Sequence, residues 1–194
     1  MSADFEDLLR AALLDPAAEQ RLVEAHTADA VAVIAAWPGN GHRLQRHGPV
    51  AALAAARGLE RAFLSPLEGR ARLIRRLRDG LLLVFDAPAD ALLATLDGLG
   101  AARRWGATLP TPLTACAGLD AGPLLFDPAG DAVGLPVNLA LHLAGVAEPG
   151  ELLCTEAYLA RLGAPPSGVG AHRARASRIA HVGLPFHVLD DYRA

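Results

Sequence analysis

The segment RRLRDGLLLVF, residues 75–85, places one carboxylate, Asp79, between two runs that are rich in apolar residues. An Asp-Gly pair in this setting is a strong signal for a two-residue hairpin loop, because glycine adopts the positive φ that such turns require and aspartate bonds to its own backbone. A carboxylate raised at the edge of a sheet is also a ligand for a divalent metal ion. The segment therefore predicts a hairpin and offers two roles for Asp79, a turn residue or a metal ligand.

A second group of polar residues lies in and before GLPVNLALHLAGVA, residues 134–147, where Asn138 and His142 interrupt an apolar run. Their spacing of four places both side chains on one face of a helix. Asp131 precedes this helix and follows Gly130. Each also has a plain structural interpretation: a helix-surface amide, a neutral half-buried imidazole and a turn residue.

The sequence offers no convincing zinc site. Its two cysteines, Cys116 and Cys154, lie in separate apolar stretches, which predicts two buried, reduced thiols. Three histidines, His172, His181 and His187, lie around the last predicted hairpin without the spacing that metal ligands show.

The composition predicts one domain, or one domain with a short extension, and a sizeable core. The chain has 194 residues, of which 52% are hydrophobic, 20% charged and 5% aromatic, so the core must consist of Ala, Leu and Val. A net charge of −3 gives no electrostatic footprint for nucleic acid or an acidic membrane surface. All 18 basic residues are arginine, which excludes lysine chemistry. An acidic start and the absence of a long apolar run predict a cytoplasmic protein with no membrane span.

Apolar periodicity and turn residues define the elements that must position these groups. Their βαββαβ order predicts an α+β fold, a ferredoxin-like sandwich with a C-terminal αβ elaboration. Residues 1–28 are expected to form an N-terminal helical extension for packing or dimer contact, and residues 29–194 the main domain. The predicted elements are a helix over 5–26 broken near Pro16, a strand over 30–37, a helix over 49–67, a hairpin over 71–88, a helix over 89–105, two strands around a glycine-rich turn in 113–126, a helix over 134–147, a strand over 151–154, a helix over 155–162 capped by Thr155, a loop over 164–172 and a hairpin over 176–192.

Four segments, in this order, resemble the class III nucleotidyl cyclase homology domain, the family of adenylate and guanylate cyclases. They are RDGLLLVFDAPADAL, GLDAGPLL, GDAVGLPVNLALHLAGVAEPGELLCTEA and HVGLPFHVLDDY, and the resemblance runs from about residue 30 to the end of the chain. It implies the cyclase fold. It also implies a reaction in which two aspartates hold two Mg²⁺ or Mn²⁺ ions that activate the ribose 3′-hydroxyl for attack on the α-phosphorus.

The resemblance places Asp79 at the second metal aspartate of the family. The first aspartate should lie near residue 36, where this chain has Ala35, Ala36 and Trp37 instead. Asp29 lies too far back to replace it in register. One of the two metal carboxylates is therefore missing.

The remaining family positions are partly retained. Asn138 matches the asparagine that stabilises the transition state from the partner subunit, whereas His142 stands where the family has an arginine and lacks the guanidinium fork. Arg75 stands at the position of the purine-reading lysine, four residues before Asp79, and Asp131 matches the adenine-reading acceptor. The pair favours adenine.

These departures predict a catalytically degenerate cyclase-like domain that acts in signalling as a nucleotide-binding or regulatory dimerisation module. The alternative is a weak or partner-dependent adenylate cyclase that converts ATP to cyclic AMP, and it would need Mg²⁺ or Mn²⁺. A purely structural interaction protein would have no nucleotide affinity. The expected partners are a second copy of the chain, ATP or another purine nucleotide, and a heterologous cyclase or regulatory protein.

Overall fold

The structure is a computed structural model that describes residues 3–179 and 182–192. Over these residues one mixed sheet has helices packed on both of its faces. The strands are β1 (Thr27–Ala36), β2 (Leu73–Leu77), β3 (Gly80–Phe85), β4 (Cys116–Asp127), β5 (Asp131–Val133), β6 (Leu152–Thr155), β7 (Val169–Ile179) and β8 (Val182–Asp191). The α-helices are α1 (Ala3–Ala12), α2 (Pro16–His26), α3 (Asn40–Leu64), α4 (Pro88–Gly106), α5 (Leu135–Val146) and α6 (Glu156–Leu162).

The strand order confirms the predicted fold class. The order across the sheet is β2-β3-β1-β4-β6-β8-β7, and β5 pairs with β4 at its end. The chain enters this sheet as β1, α3, β2, β3, α4 and β4, which is the βαββαβ unit of a ferredoxin-like sandwich. The C-terminal elaboration then adds β6 parallel to β4, followed by the antiparallel strands β8 and β7.

Strand β1 is central and is buried on both faces, which explains its uninterrupted apolar sequence. Val31, Val33 and Ala35 face a core that includes side chains of α3 and α4. The alternate residues Ala30, Ala32 and Ile34 face a second core that includes side chains of α5. The sheet therefore separates two packed layers of side chains. Strand β1 lies between these layers and ends at Ala36.

Two segments differ from their sequence-based interpretation. The segment 113–126 was expected to form two strands around a turn, but β4 runs continuously from Cys116 to Asp127. Its glycine at 118 serves close helix packing, because a Cβ at Gly118 would lie 2.3 Å from the carbonyl oxygen of Ala140 on α5. The final hairpin begins at Val169 rather than at 176, and His181, one of the three histidines without metal-ligand spacing, lies outside the described residues.

Helix α3 also begins earlier than predicted. It starts at Asn40 rather than at residue 49, and it is kinked at Gly48, whose φ of 80° and ψ of 172° are not helical. Pro49 follows the kink and lacks the backbone N–H that a continuous helix would use. The segment 40–47 begins within the Pro-Gly-Asn-Gly run of 38–41, whose residues usually break helices, and it was not predicted to be helical. It is therefore a separate helical unit.

The hairpin formed by β2 and β3 was predicted correctly, but the reason for its glycine was wrong. Leu77 pairs with Gly80, so the loop consists of Arg78 and Asp79 and the glycine is the first residue of β3. Gly80 does not have a positive φ. A Cβ at Gly80 would lie 2.1 Å from the carbonyl oxygen of Ala35, so glycine is needed here for the close approach of β1.

The N-terminal helices break where the sequence indicated. Asp15 caps α2 by accepting a hydrogen bond from the backbone N–H of Ala17, and Pro16 occupies the first helical position, which suits a residue without an N–H. The side chain of Leu22 is buried and packs α2 against the rest of the domain. The boundary at residue 28 stays a prediction. Within the described residues, none of the helices combines the length and apolar character needed to cross a membrane.

Candidate functional site

Asp79 lies at the tip of the β2–β3 hairpin, beside the end of β1. Its backbone carbonyl accepts a hydrogen bond from the Trp37 N–H at 3.0 Å, and the next residue, Gly80, pairs with Ala36. Its side chain is 57% exposed. The carboxylate Oδ1 accepts a hydrogen bond from Asn40 Nδ2 at 3.1 Å, so an amide from the first turn of α3 already contacts it.

The strand end that faces Asp79 carries no carboxylate. Ala35 is buried, Ala36 is half-buried, and Trp37 packs its ring edge-on against Phe63 at a centroid distance of 5.9 Å. Asp29 lies in the opposite half of β1, where its Oδ1 is 3.1 Å from Arg161 Nη2. It is therefore too far along the strand to share a ligand with Asp79.

These residues do not fit a two-ion centre. Such a centre needs carboxylates on both sides of the metal ions, whereas here the adjoining strand end has Ala35 and Ala36, and Asp79 receives an amide N–H. Among the described residues, no group of three or more histidine, cysteine, aspartate or glutamate side chains could hold a metal ion.

The structure brings Arg75 and Asp131 together from separate elements. Arg75 on β2 forms a salt bridge through Nη1 with Oδ2 of Asp131 on β5. The second carboxylate oxygen of Asp131 accepts the backbone N–H of Ala132 at 2.9 Å. Nearby, the guanidinium of Arg72 lies 4.0 Å from the centroid of the Phe126 ring. The two candidate purine-reading groups thus form one site and are paired with each other.

Asn138 and His142 lie on α5, the former exposed and the latter half-buried. The opposite side of α5 is buried against the sheet through Pro136, Ala140, Leu143 and Ala144. We call the exposed residues Leu135, Asn138, Leu141 and Val146, with His142, the α5 outer face. It contains two large apolar side chains in contact with solvent, since Leu135 is 66% and Leu141 52% exposed.

Comparison with known proteins identifies the architecture. No family model and no curated protein sequence matches the chain. The solved guanylyl cyclase Cya2 aligns with a TM-score of 0.74 and 13% identity, over 86% of this chain and 94% of that chain. The adenylyl cyclase CyaB from P. aeruginosa aligns with a TM-score of 0.70 and 13% identity, over 86% and 96% of the respective chains. A dimeric guanylyl cyclase domain of the RhoGC fusion protein from Blastocladiella emersonii aligns with a TM-score of 0.68 and 13% identity, over 86% and 99%.

The chain has the class III cyclase fold. The fold that the sequence resemblance implied is thereby confirmed. At these identities the agreement concerns the fold, and what the site does must be argued from its residues.

Within this cyclase fold, sequence reasoning missed a buried carboxyl group on β4. Asp120 is 3% exposed, and the Thr155 hydroxyl donates a hydrogen bond to its Oδ1. Burial raises the pKa of Asp120, while hydrogen bonds from Thr155 and from the Ala121 backbone partly oppose that shift. Assigning this segment to a turn hid Asp120, because a turn residue would be solvated.

The two cysteines of the cyclase fold are both buried and free, as the sequence predicted. Burial raises the pKa of the Cys116 thiol to about 11, and burial also raises the pKa of Cys154. Since the thiolate is the reactive form of cysteine, neither group is suited to nucleophilic chemistry.

Proposed function

We propose that this chain is a regulatory dimerisation domain of the cyclase fold that does not form cyclic nucleotide by itself. One observation carries the proposal: the hairpin carboxylate Asp79 is hydrogen-bonded by the Asn40 amide, and the adjoining end of β1, where Ala36 pairs with Gly80, carries no second carboxylate. Two-metal catalysis uses the paired ions to stabilise the attacking and leaving oxygens together. One carboxylate whose lone pair already accepts an amide N–H is a poor substitute for such a clamp.

The missing catalytic groups should raise the activation free energy of cyclisation considerably. Removing one group that stabilises transition-state charge typically lowers the rate by a factor on the order of 10²–10³. This chain lacks the carboxylate at Ala36 and has an imidazole at His142 where the family has a guanidinium. If the two losses are independent, they combine to roughly 10⁴–10⁶, or about 5–8 kcal/mol in the activation free energy.

The dimerisation part of the proposal is supported by the α5 outer face. Leu135 and Leu141 are exposed apolar residues that flank Asn138, and a patch of this kind on a soluble domain marks a contact surface. A solved guanylyl cyclase domain of the same fold forms a non-canonical dimer, which supports dimerisation in general. We place this face in a twofold homodimer, in which it contacts the partner's equivalent surface.

The proposed nucleotide site rests on Arg75 and Asp131. Their groups offer donors and an acceptor for the edge of a purine, but the salt bridge between them must open or shift first. We therefore expect weak ATP binding that does not depend on Mg²⁺ or Mn²⁺. A cytoplasmic location remains a prediction.

The experiment that tests the proposal measures cyclic AMP and cyclic GMP produced by the purified chain with ATP or GTP and Mn²⁺. Asp79→Ala is the matched variant, because it removes the one carboxylate at the hairpin tip. We expect no product from either protein above the protein-free control. Turnover by the wild type that Asp79→Ala abolishes would replace the regulatory proposal with an enzymatic one.

A partner-dependent adenylate cyclase is the second candidate, and a specific observation favours it. Asp131 and Asn138 match residues of the family, Arg75 stands in place of its lysine and can still donate a hydrogen bond, and Arg75 and Asp131 are in contact. The test mixes this chain with a cyclase domain that keeps both metal aspartates but lacks its own purine pair and asparagine. Cyclic AMP that appears only on mixing, and disappears with Asp131→Ala, would establish this candidate.

A further inference from the structure

A cavity of about 420 Å³ lies between the first turns of α3 and the loop that precedes β4. His42, Arg43, Arg46 and His47 line it from the helix, and Thr111 and Thr114 line it from the loop. The residues that line it do not include Asp79 at the hairpin tip, the Arg75–Asp131 pair or any residue of the α5 outer face. No acidic residue is among those that line it.

The local fold explains why four basic or imidazole side chains gather here. The segment 40–47 is helical, so residues three and four apart are neighbours on its surface. His42 and Arg46 form one such pair and Arg43 and His47 another. The non-helical backbone at Gly48 then ends the segment, so these four side chains belong to one short unit.

The two arginines lack the counter-charges that several other arginines in the described residues have. Arg70 pairs with Asp97 at 2.9 Å, and Arg57 pairs with Glu60 at 3.1 Å. Across the described residues, neither Arg43 nor Arg46 forms an ion pair with a carboxylate. Two adjacent guanidinium groups without an anion repel each other, so the cavity favours an anionic occupant.

The cavity wall also holds polar groups in fixed positions. Arg43 Nη2 donates a hydrogen bond to the carbonyl oxygen of Thr111, which holds the guanidinium at the cavity wall. Arg43 Nε is nevertheless buried without a hydrogen-bond partner. His47 Nε2 lies 3.4 Å from Thr111 Oγ1, so an imidazole and a hydroxyl stand beside the same guanidinium.

We propose that this cavity binds the phosphoryl group of a small phosphomonoester without a metal ion. The fork of a guanidinium matches two phosphate oxygens, and the threonine hydroxyls and imidazoles supply further donors. The volume exceeds what one phosphate ion needs and falls within the range of small-molecule sites, so an organic group fits beside the phosphate. This inference goes beyond the proposed function, since it uses neither Asp79, nor the purine pair, nor turnover.

The test is calorimetric titration of the full chain in the presence of a chelator, with ribose 5-phosphate, orthophosphate and ribose as three separate titrants. We expect ribose 5-phosphate to bind and ribose not to bind. Orthophosphate that binds as tightly as the ester would identify the free ion as the ligand and support the site. Absence of binding by both phosphate compounds at millimolar concentration, or equal binding by ribose, would overturn the proposal.

Two variants place the binding in the cavity. Arg46→Gln removes an exposed guanidinium from its wall, and we expect affinity for ribose 5-phosphate to fall roughly tenfold or more, as for loss of a charge-assisted contact. Arg103→Gln removes an exposed guanidinium near the end of α4, outside the cavity, and should change affinity less than twofold. Equal losses in the two variants would indicate general charge attraction and contradict the assignment. Unchanged melting temperatures would show that both variants fold.

Discussion

Asn40 Nδ2 donates a hydrogen bond to Asp79 Oδ1 at 3.1 Å, and this contact joins the first turn of α3 to the hairpin tip. The other side-chain atom of Asn40, Oδ1, is buried without a hydrogen-bond partner. A carboxylate that receives an amide N–H is satisfied without a metal ion. The relationship also indicates how the site would respond to changed charge.

Asn40→Asp is expected to convert this hydrogen bond into a metal-dependent contact. Two carboxylates at this separation repel each other, so the variant should melt at a lower temperature than the wild type in the presence of a chelator, by roughly 2–4 °C for each kcal/mol lost. Mn²⁺ should restore the melting temperature by bridging the two carboxylates. Asn40→Ala is the control, since it loses the hydrogen bond but should show no recovery with Mn²⁺, as followed by scanning fluorimetry.

Restoring the missing catalytic groups should require both of them. Ala36→Asp supplies a carboxylate at the end of β1, where Ala36 pairs with the residue after Asp79, and His142→Arg supplies a guanidinium on the α5 outer face. We expect the double variant to produce more cyclic AMP with Mn²⁺ than either single variant, because each group contributes a factor on the order of 10²–10³. Adding Asp79→Ala to the double variant should remove the gained activity, and a gain that survives this change would contradict the role given to Asp79.

Leu141→Arg should convert a dimer into a monomer in sedimentation velocity at micromolar concentrations. The substitution buries two symmetry-related guanidinium groups in an apolar contact, which costs several kcal/mol in association free energy. Val50→Arg is the matched control, because Val50 is 81% exposed on α3, away from the α5 outer face. If the wild type is monomeric, or if the two variants sediment alike, α5 is not the interface.

Asp120→Asn should stabilise the protein near neutral pH. Because burial raises the folded-state pKa of Asp120 above its unfolded value, the ionised carboxylate reduces stability at high pH, and that penalty disappears as the pH falls through the folded pKa. Asparagine avoids the penalty and can still accept the Thr155 hydroxyl hydrogen bond. The unfolding free energy of the variant should therefore exceed that of the wild type at about pH 8, and the difference should narrow toward about pH 4.

Denaturant unfolding at several pH values checks this prediction. Glu68→Gln, which removes an exposed carboxylate, should show a much smaller pH-dependent difference from the wild type. An Asp120→Asn protein that is less stable than the wild type at the higher pH would show that the carboxylate is stabilised by its charge.

Local pattern predicted much of the fold. The apolar periods of α4 and α5, the Thr155 cap of α6 and the β2–β3 hairpin all follow from residues near one another in sequence. The two glycines that were misread, Gly80 and Gly118, depend instead on atoms of distant elements, the carbonyl oxygens of Ala35 and Ala140. A single sequence contains no local signal for such an approach, so a turn was the natural interpretation.

The candidate site was less accessible to sequence reasoning for the same reason. Resemblance to the family placed Arg75 and Asp131 in related roles. Their salt bridge, however, depends on the pairing of β5 with the end of β4, which is far from Arg75 in sequence. The Asn40–Asp79 hydrogen bond and the basic cavity both require the segment 40–47 to be helical, and the breaker residues at 38–41 argued against that.

The kink at Gly48 sets the segment 40–47 apart from the rest of α3 as a short helical unit. Asn40, at one end of the unit, contacts the hairpin carboxylate, while Arg43, Arg46 and their histidine neighbours line the cavity. Asn40 and Arg43 are separated by about one turn of helix. Because the two groups belong to one short helix, we expect an anion bound in the cavity to alter the environment of Asp79 without touching it.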